Sequence, residues 1–284
     1  MSHDFAAFAE QKTREASAAE IAHLETIEDR SAAFGCAQIG NSWSKEHYDG
    51  LFLLPSRAPG ELPGVSLCFV QSREGNTGAA NPAILGGGPT DKHLIYEGLS
   101  RVAADGVMAG ASTAEGRHTF FSVWHPQLVA LREALRLPRH PAQIVLTGRA
   151  CIDLERTLLF NVPDVPVYII AAPAGCERLE AAVARHPSAE LIPMHGGDLR
   201  TPLTYLCQKR SISRISCIGG RTTASALLDS GVVQDVCLTT TARSAGEPGT
   251  PLYVGTKKPI LELMVRKHAD DQEYPITFEH LAVR

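Results

Sequence analysis

Several things are missing from this sequence, and each absence excludes a class. No apolar run is long enough to cross a bilayer. The longest uncharged stretch, Val165–Ala174, is about half a span and contains two prolines. The amino terminus is charged from its fourth residue and has no signal-peptide core. Cysteine is neither paired in number nor clustered. The seven cysteines are scattered and never spaced C-x-x-C, which argues against a disulfide framework and a zinc finger, so no metal is expected. Positive charge is not in excess: 27 Lys+Arg stand against 31 Asp+Glu, a net charge of −4. A broad nucleic-acid-binding field is therefore lacking, although one local phosphate pocket is still allowed. G-x-S-x-G, H-E-x-x-H, H-x-E…P-C-x-x-C, the P-loop and G-x-G-x-x-G are absent too. The expectation is a cytoplasmic protein that acts on a small molecule, with neither nucleic acid nor membrane as partner.

What is present is an α/β pattern. With 284 residues, 44% of them hydrophobic, the chain can bury a large core. Residues 5–34 are rich in Ala and Glu with a weak apolar stripe, a helical composition. The joint Leu53–Gly64 is dense in Pro and Gly and stops regular structure. This divides the chain into a helical extension, 1–62, and a main domain, 63–284.

In the main domain, short apolar runs alternate with helical stretches. Strands are expected at 65–70, 106–110, 143–148, 165–172, 189–194, 212–220 and 232–241, with a final edge strand in the tail. Helices are expected at 90–104 with Thr90 as N-cap, and at 126–137, 175–186, 197–210 and 222–231. Apolar strands without alternation mean a sheet covered on both faces.

Three segments could carry chemistry. The first is Gly219–Gly220–Arg221–Thr222–Thr223, which joins a strand to a helix. Glycines there let a backbone approach a ligand, and the helix start favours a phosphate. Thr222, Thr223 and Ser225 add hydroxyls. A tight turn uses the same residues. The second is Gly110–Ala111–Ser112–Thr113, beyond the end of a strand, where open α/β sheets gather ligands. The third is Ser72–Arg73–Glu74–Gly75, followed by Gly86–Gly87–Gly88, in which Glu74 could hold a proton. The segment from His118 to His125, with Phe120, Phe121 and Trp124, suits either a lid or packing.

In order and spacing, residues 65–254 resemble the reductase domain of the bifunctional riboflavin-biosynthesis deaminase–reductase family. The matching pieces are Ser72–Gly75, the Asp91-led helix through Leu99–Ser100–Arg101 to Asp105, Ala109–Thr113, Ile144–Gly148, and Ile218–Thr223 through Asp235. The resemblance implies a dihydrofolate-reductase-like fold, a mixed and mostly parallel sheet flanked by helices, in a homodimer. It also implies an NADPH site at Thr113, Gly148, Gly219, Gly220, Arg221, Thr222, Thr223, Ala224 and Ser225. Arg101 would hold a substrate phosphate, Ser72 would contact substrate, and Glu74 would be the catalytic group.

Departures from the family pattern are Ile218 where a glutamate is expected, Asn76 where a cation is expected, and Ala114–Arg117 in place of D-D-P. The activity implied is NADPH-dependent reduction of a pyrimidine-like or related small heterocycle. The alternatives are 5-amino-6-(5-phosphoribosylamino)uracil reduction itself, and nucleotide binding without turnover.

Overall fold

The computed structural model describes residues 2–56, 61–79, 81–271 and 273–284; residues 57–60, within the expected joint, lie outside the described residues. The strands are β1 (Glu25–Asp29), β2 (Ala37–Ile39), β3 (Phe52–Leu54), β4 (Gly64–Gln71), β5 (Gly106–Gly110), β6 (Ala142–Thr147), β7 (Val167–Ala171), β8 (Ala189–Pro193), β9 (Arg214–Cys217), β10 (Val233–Thr241), β11 (Leu261–Ala269) and β12 (Ile276–Val283). Ten of them form one sheet in the order β1-β11-β12-β10-β4-β9-β5-β6-β7-β8, while β2 and β3 pair separately. From β10 to β8 every neighbouring pair is parallel; β12, β11 and β1 add an antiparallel wing.

The helices are α1 (Ser2–Ser17), α2 (Ser42–Tyr48), α3 (Gly88–Thr90), α4 (Ala111–Ala114), α5 (Pro126–Ala134), α6 (Pro173–Val183), α7 (Arg200–Arg210) and α8 (Arg221–Asp229). No helix among the described residues is long and apolar enough to cross a membrane.

Both faces of the central strands are buried, which is why their sequences do not alternate. Val65 and Leu67 of β4 and Met108 of β5 pack with Leu203, Leu206 and Leu227 on one side. Cys68, Val107 and Ala109 pack with Leu94, Ile95, Leu99 and Leu128 on the other. The segment 118–125 packs rather than covering a cleft: Phe120 and Trp124 are buried against Phe5 and Phe8 of α1.

Several details differ from the sequence reading. The extension is helical over Ser2–Ser17 and again over Ser42–Tyr48, and between them β1 joins the main sheet beside β11. Ile27, read as part of a helical stripe, sits on that edge strand and is exposed. The tail strand β12 is not an edge, because β11 and β1 lie outside it. The strand Leu261–Ala269 carries Glu, Arg, Lys and His. Yet Lys267 is buried over the Tyr48 ring, 4.3 Å from its centroid, and its ammonium donates to Thr26 Oγ1 at 2.5 Å and Asp49 O at 3.1 Å. A long cationic stem can be buried in this way when its head finds oxygens.

Finally, Thr90 is not an N-cap. The helix opens at Gly88, and Thr90 has helical φ −64° and ψ −51° while its Oγ1 accepts a hydrogen bond from Ala22 N at 2.9 Å.

Candidate active site

A cleft of about 600 Å³ opens beyond the carboxyl ends of β4, β9 and β5. Open α/β sheets place ligands there, because loops diverge at the strand ends and helix amino termini point inward. The floor is apolar, formed by Phe69 and Val70 of β4 and by Ile218.

The wall opposite β4 is a helix of unusual pitch. α3 runs directly into a π-helix, Asp91–Leu99, whose wide turn is shown by the Ser100 N–H donating to Ile95 O at 2.9 Å. Leu94, Ile95 and Leu99 face the core, as expected from sequence, and Asp91, Lys92 and Tyr96 line the cleft. Pitch changes of this kind are frequent at functional sites.

Asp91 is the titratable group of most interest. Its carboxylate folds back over Gly87, where an added Cβ would stand 2.8 Å from Asp91 Oδ2. Burial lifts its carboxyl to about 6, and the Thr239 hydroxyl partly opposes the rise. The start of a helix ordinarily favours a carboxylate, so desolvation wins here.

The opposite end of the cleft is built by the glycine pair. Gly220 has φ +81° and is the N-cap of α8, with no side-chain cap. The first helical bond comes from Ala224 N to Gly220 O at 2.9 Å, so the earlier N–H groups are left for a ligand. Thr113 stands against the pair: a Cβ on Gly219 would lie 2.9 Å from Thr113 Cγ2. Thr113, Gly219, Gly220 and Arg221 all line the cleft.

The remaining sequence candidates divide. Thr222 is exposed on the first turn of α8. Thr223 is buried with its Oγ1 near Gly220, 3.3 Å from where a Cβ would be. Ala224 is fully buried in the core, and Ser225 spends its hydroxyl accepting from Val254 N at 3.0 Å. Gly148 is exposed past the end of β6 and has nothing within 4 Å of an added Cβ.

Arg101 is not among the residues that line the cleft. It is 2% exposed, stacked 4.2 Å from the Tyr96 ring centroid, and donates to Ser122 O at 2.6 Å. It lies just past the end of the helix, with Nε and Nη2 buried without a hydrogen-bond partner behind the Tyr96 ring, which lines the cleft.

Ser72 and Glu74 sit beside the cleft rather than in it. Glu74 borders a shallow hollow with Asn76 and Ser244. Its carboxylate accepts from Ser244 Oγ and, at 2.9 Å, from Ser72 Oγ. The Ser244 hydroxyl first, and then that of Ser72, holds its carboxyl below the usual range. Such a group is an acceptor at neutral pH and a poor proton donor, whereas Asp91, whose carboxyl is raised, lines the cleft.

Sequence reasoning did not single out Asp91 as a site residue; the signal available was its place after Gly86–Gly88 at the start of a helix.

No family model matches the sequence, and no curated protein sequence matches it. Solved structures do. A pyrimidine reductase-like protein from Corynebacterium diphtheriae superposes with a TM-score of 0.61 at 18% identity, over 78% of this chain and 92% of that one. RibD of Acinetobacter baumannii gives 0.58 at 16% identity, over 79% of this chain, which spans only 59% of that protein. A riboflavin biosynthesis reductase of Saccharomyces cerevisiae gives 0.53 at 14% identity, over 80% and 93%. At these identities the likeness establishes the fold, and the architecture expected from sequence is the one found.

Proposed function

We propose that this chain is an NADPH-dependent reductase of a pyrimidine-like or related small heterocycle, with the cleft at Gly219–Gly220 as its active site. One observation carries the reading: a phosphate cradle and a carboxyl raised to about 6 line the same apolar cleft. The likeness of fold to a pyrimidine reductase-like protein supports it.

The residues present fit the cofactor. The uncapped start of α8 and the positive φ of Gly220 give a pyrophosphate free N–H donors and a backbone without a side chain. Arg221 adds a cation, and Thr113 a hydroxyl beside the glycines. Bound there, NADPH supplies the hydride.

The chain does the rest. Phe69, Val70 and Ile218 exclude water from the ring-binding floor. Asp91 keeps a proton into the neutral range and delivers it to the reduced substrate, which a carboxyl of ordinary acidity would not do. Glu74 stays ionised at the rim and holds Ser72 and Ser244.

Ile218 offers no acceptor to a polar substrate edge, so the preferred substrate is less polar there than the phosphoribosylamino-pyrimidine. Dimerisation, a cytoplasmic location, and a division into an extension (1–62) and a nucleotide-binding unit (63–284) go with this reading.

The test is substrate-dependent NADPH oxidation across a panel of heterocycles that includes 5-amino-6-(5-phosphoribosylamino)uracil. We expect turnover on at least one member, and a rate on the phosphoribosylamino-pyrimidine well below ~10 per second. NADPH at about a hundred times its dissociation constant should add roughly 2.7 kcal/mol of stability. Absence of that stabilisation refutes the cofactor assignment.

A further inference from the structure

An interior strand of a covered sheet is normally apolar on both faces. One face of β10 is not. Asp235, Cys237, Thr239 and Thr241 fall on the same side by the alternation of a strand, and all four are buried. The register brings more polar groups beside them: His280 of β12 pairs with Cys237, and Ser66 of β4 pairs with Asp235.

The ligand atoms of Asp235, Cys237 and His280 all lie within 4.8 Å of one another. Asp235 Oδ2 is 2.8 Å from His280 Nε2 and 4.0 Å from Cys237 Sγ, and Asp235 Oδ1 accepts from Ser66 Oγ at 2.7 Å. A carboxylate–imidazole pair accounts for two of these atoms. It does not account for Tyr48, whose hydroxyl is buried without a hydrogen-bond partner, nor for His280 Nδ1, which is in the same condition. Orphaned buried polar atoms are costly and call for an explanation. Tyr48 packs in the same buried cluster as Cys237, its ring 6.2 Å from that of Phe278, which lies on the His280 side of β12.

We propose that Asp235, Cys237 and His280 bind a divalent transition metal of the zinc class, with the Tyr48 hydroxyl closing the site. Sulfur, nitrogen and one carboxylate oxygen form a donor set for zinc; magnesium and calcium take oxygen throughout. Binding exchanges the Cys237 thiol proton for the metal, leaving a thiolate and releasing one proton. Cys68, the register neighbour of Cys237, lines the cleft. Because Tyr48 belongs to α2, the metal fastens the amino-terminal extension to β10 and β12. The sequence conceals the site, since its ligands sit on separate strands at no recognisable spacing.

The test uses the full chain. It is refolded with zinc chloride, dialysed without chelator, and assayed for metal by mass spectrometry. Cobalt(II) is loaded in parallel for its thiolate-to-metal absorption band. We expect one zinc per chain, a rise in Tm of about 5 °C or more over metal-free protein, and the cobalt band. Cys237→Ala and His280→Gln should lose the band and the retained zinc while keeping the wild-type circular dichroism. If Cys237→Ala does not fold, His280→Gln decides, because its amide still reaches Asp235. Wild-type protein that retains no zinc and gains no Tm overturns the proposal. So does a cobalt band that survives His280→Gln, since that band would come from surface thiols.

Discussion

The turn after β4 and the helix that opens at Gly88 each bring a carboxylate to the ends of the parallel strands, and the two carboxylates behave oppositely. Glu74 is exposed, and hydroxyls hold its carboxyl below the usual range. Asp91 is folded against Gly87, and burial raises its carboxyl to about 6. Proximity to the site is nearly shared, whereas solvation is not. The lesson is that an acidic residue near a cleft is a candidate acid only if the fold removes its water.

The largest test of this contrast is on turnover. Asp91→Asn should lower kcat by about 10² to 10⁴, the range of a general acid, while Glu74→Gln should leave it within a small factor. NADPH oxidation with a productive substrate measures both. The reverse result would return the acid to the turn.

Next in size is the cofactor end. Gly220→Val puts a β-branched side chain at φ +81°. We expect NADPH affinity to fall at least about tenfold, with some loss of stability of order 1–2 kcal/mol. Gly148→Ala, which meets open space, should change neither. Fluorescence titration compares the two, and equal binding by both variants would reduce the glycine pair to a turn.

A third comparison sets Arg101 against Arg221. Arg101→Met should cost about 1–3 kcal/mol, because Ser122 O loses its donor, and leave NADPH affinity intact in the folded fraction. Arg221→Met should weaken NADPH and leave the urea midpoint nearly unchanged.

The smallest effect lies in the pH dependence of stability, where the two carboxylates should give opposite signs. Asp91 rises from 3.8 in the unfolded chain to about 6 in the fold. Its protonated form is therefore favoured on folding, and stability drops as pH climbs from about 4 to about 6. Glu74 lies below its unfolded value of 4.5, so its contribution is present above that value and fades as pH falls through the folded pKa. Asp91→Asn should flatten the loss on the alkaline side, and Glu74→Gln the loss on the acid side. Urea midpoints from pH 3 to 8 measure both; slopes of the same sign would contradict the contrast.

Much of the fold was legible because the central strands are covered on two faces. Val65–Val70, Gly106–Gly110 and Val167–Ala171 are apolar without alternation, and only a parallel sheet with helices on both sides asks for that. The Gly219–Gly220 turn was equally readable, since a strand, two glycines and a helix leave few conformations.

The antiparallel wing was not readable in the same way. β11 hides Lys267 under Tyr48 and gives it oxygens from Thr26 and Asp49, partners far away in sequence. β1 lies in a stretch whose composition favours helix, and pairing with β11 overrode that propensity.

The site was half legible for a related reason. Asp91 opens the π-helix and Arg101 follows just past its end, and both are charged residues. Which of them faces the cleft depends on the pitch of the helix and on what packs against it. The amino-acid sequence by itself determined the strand–helix alternation, the glycine turn before α8 and the place of the cleft beyond the strand ends, because local propensity and burial on two faces leave a pattern in the chain. Only the tertiary structure decided that Arg101 is buried, that Glu74 is held by hydroxyls and that burial raises the Asp91 carboxyl, because desolvation and hydrogen bonding are set by neighbours that the order of residues does not reveal.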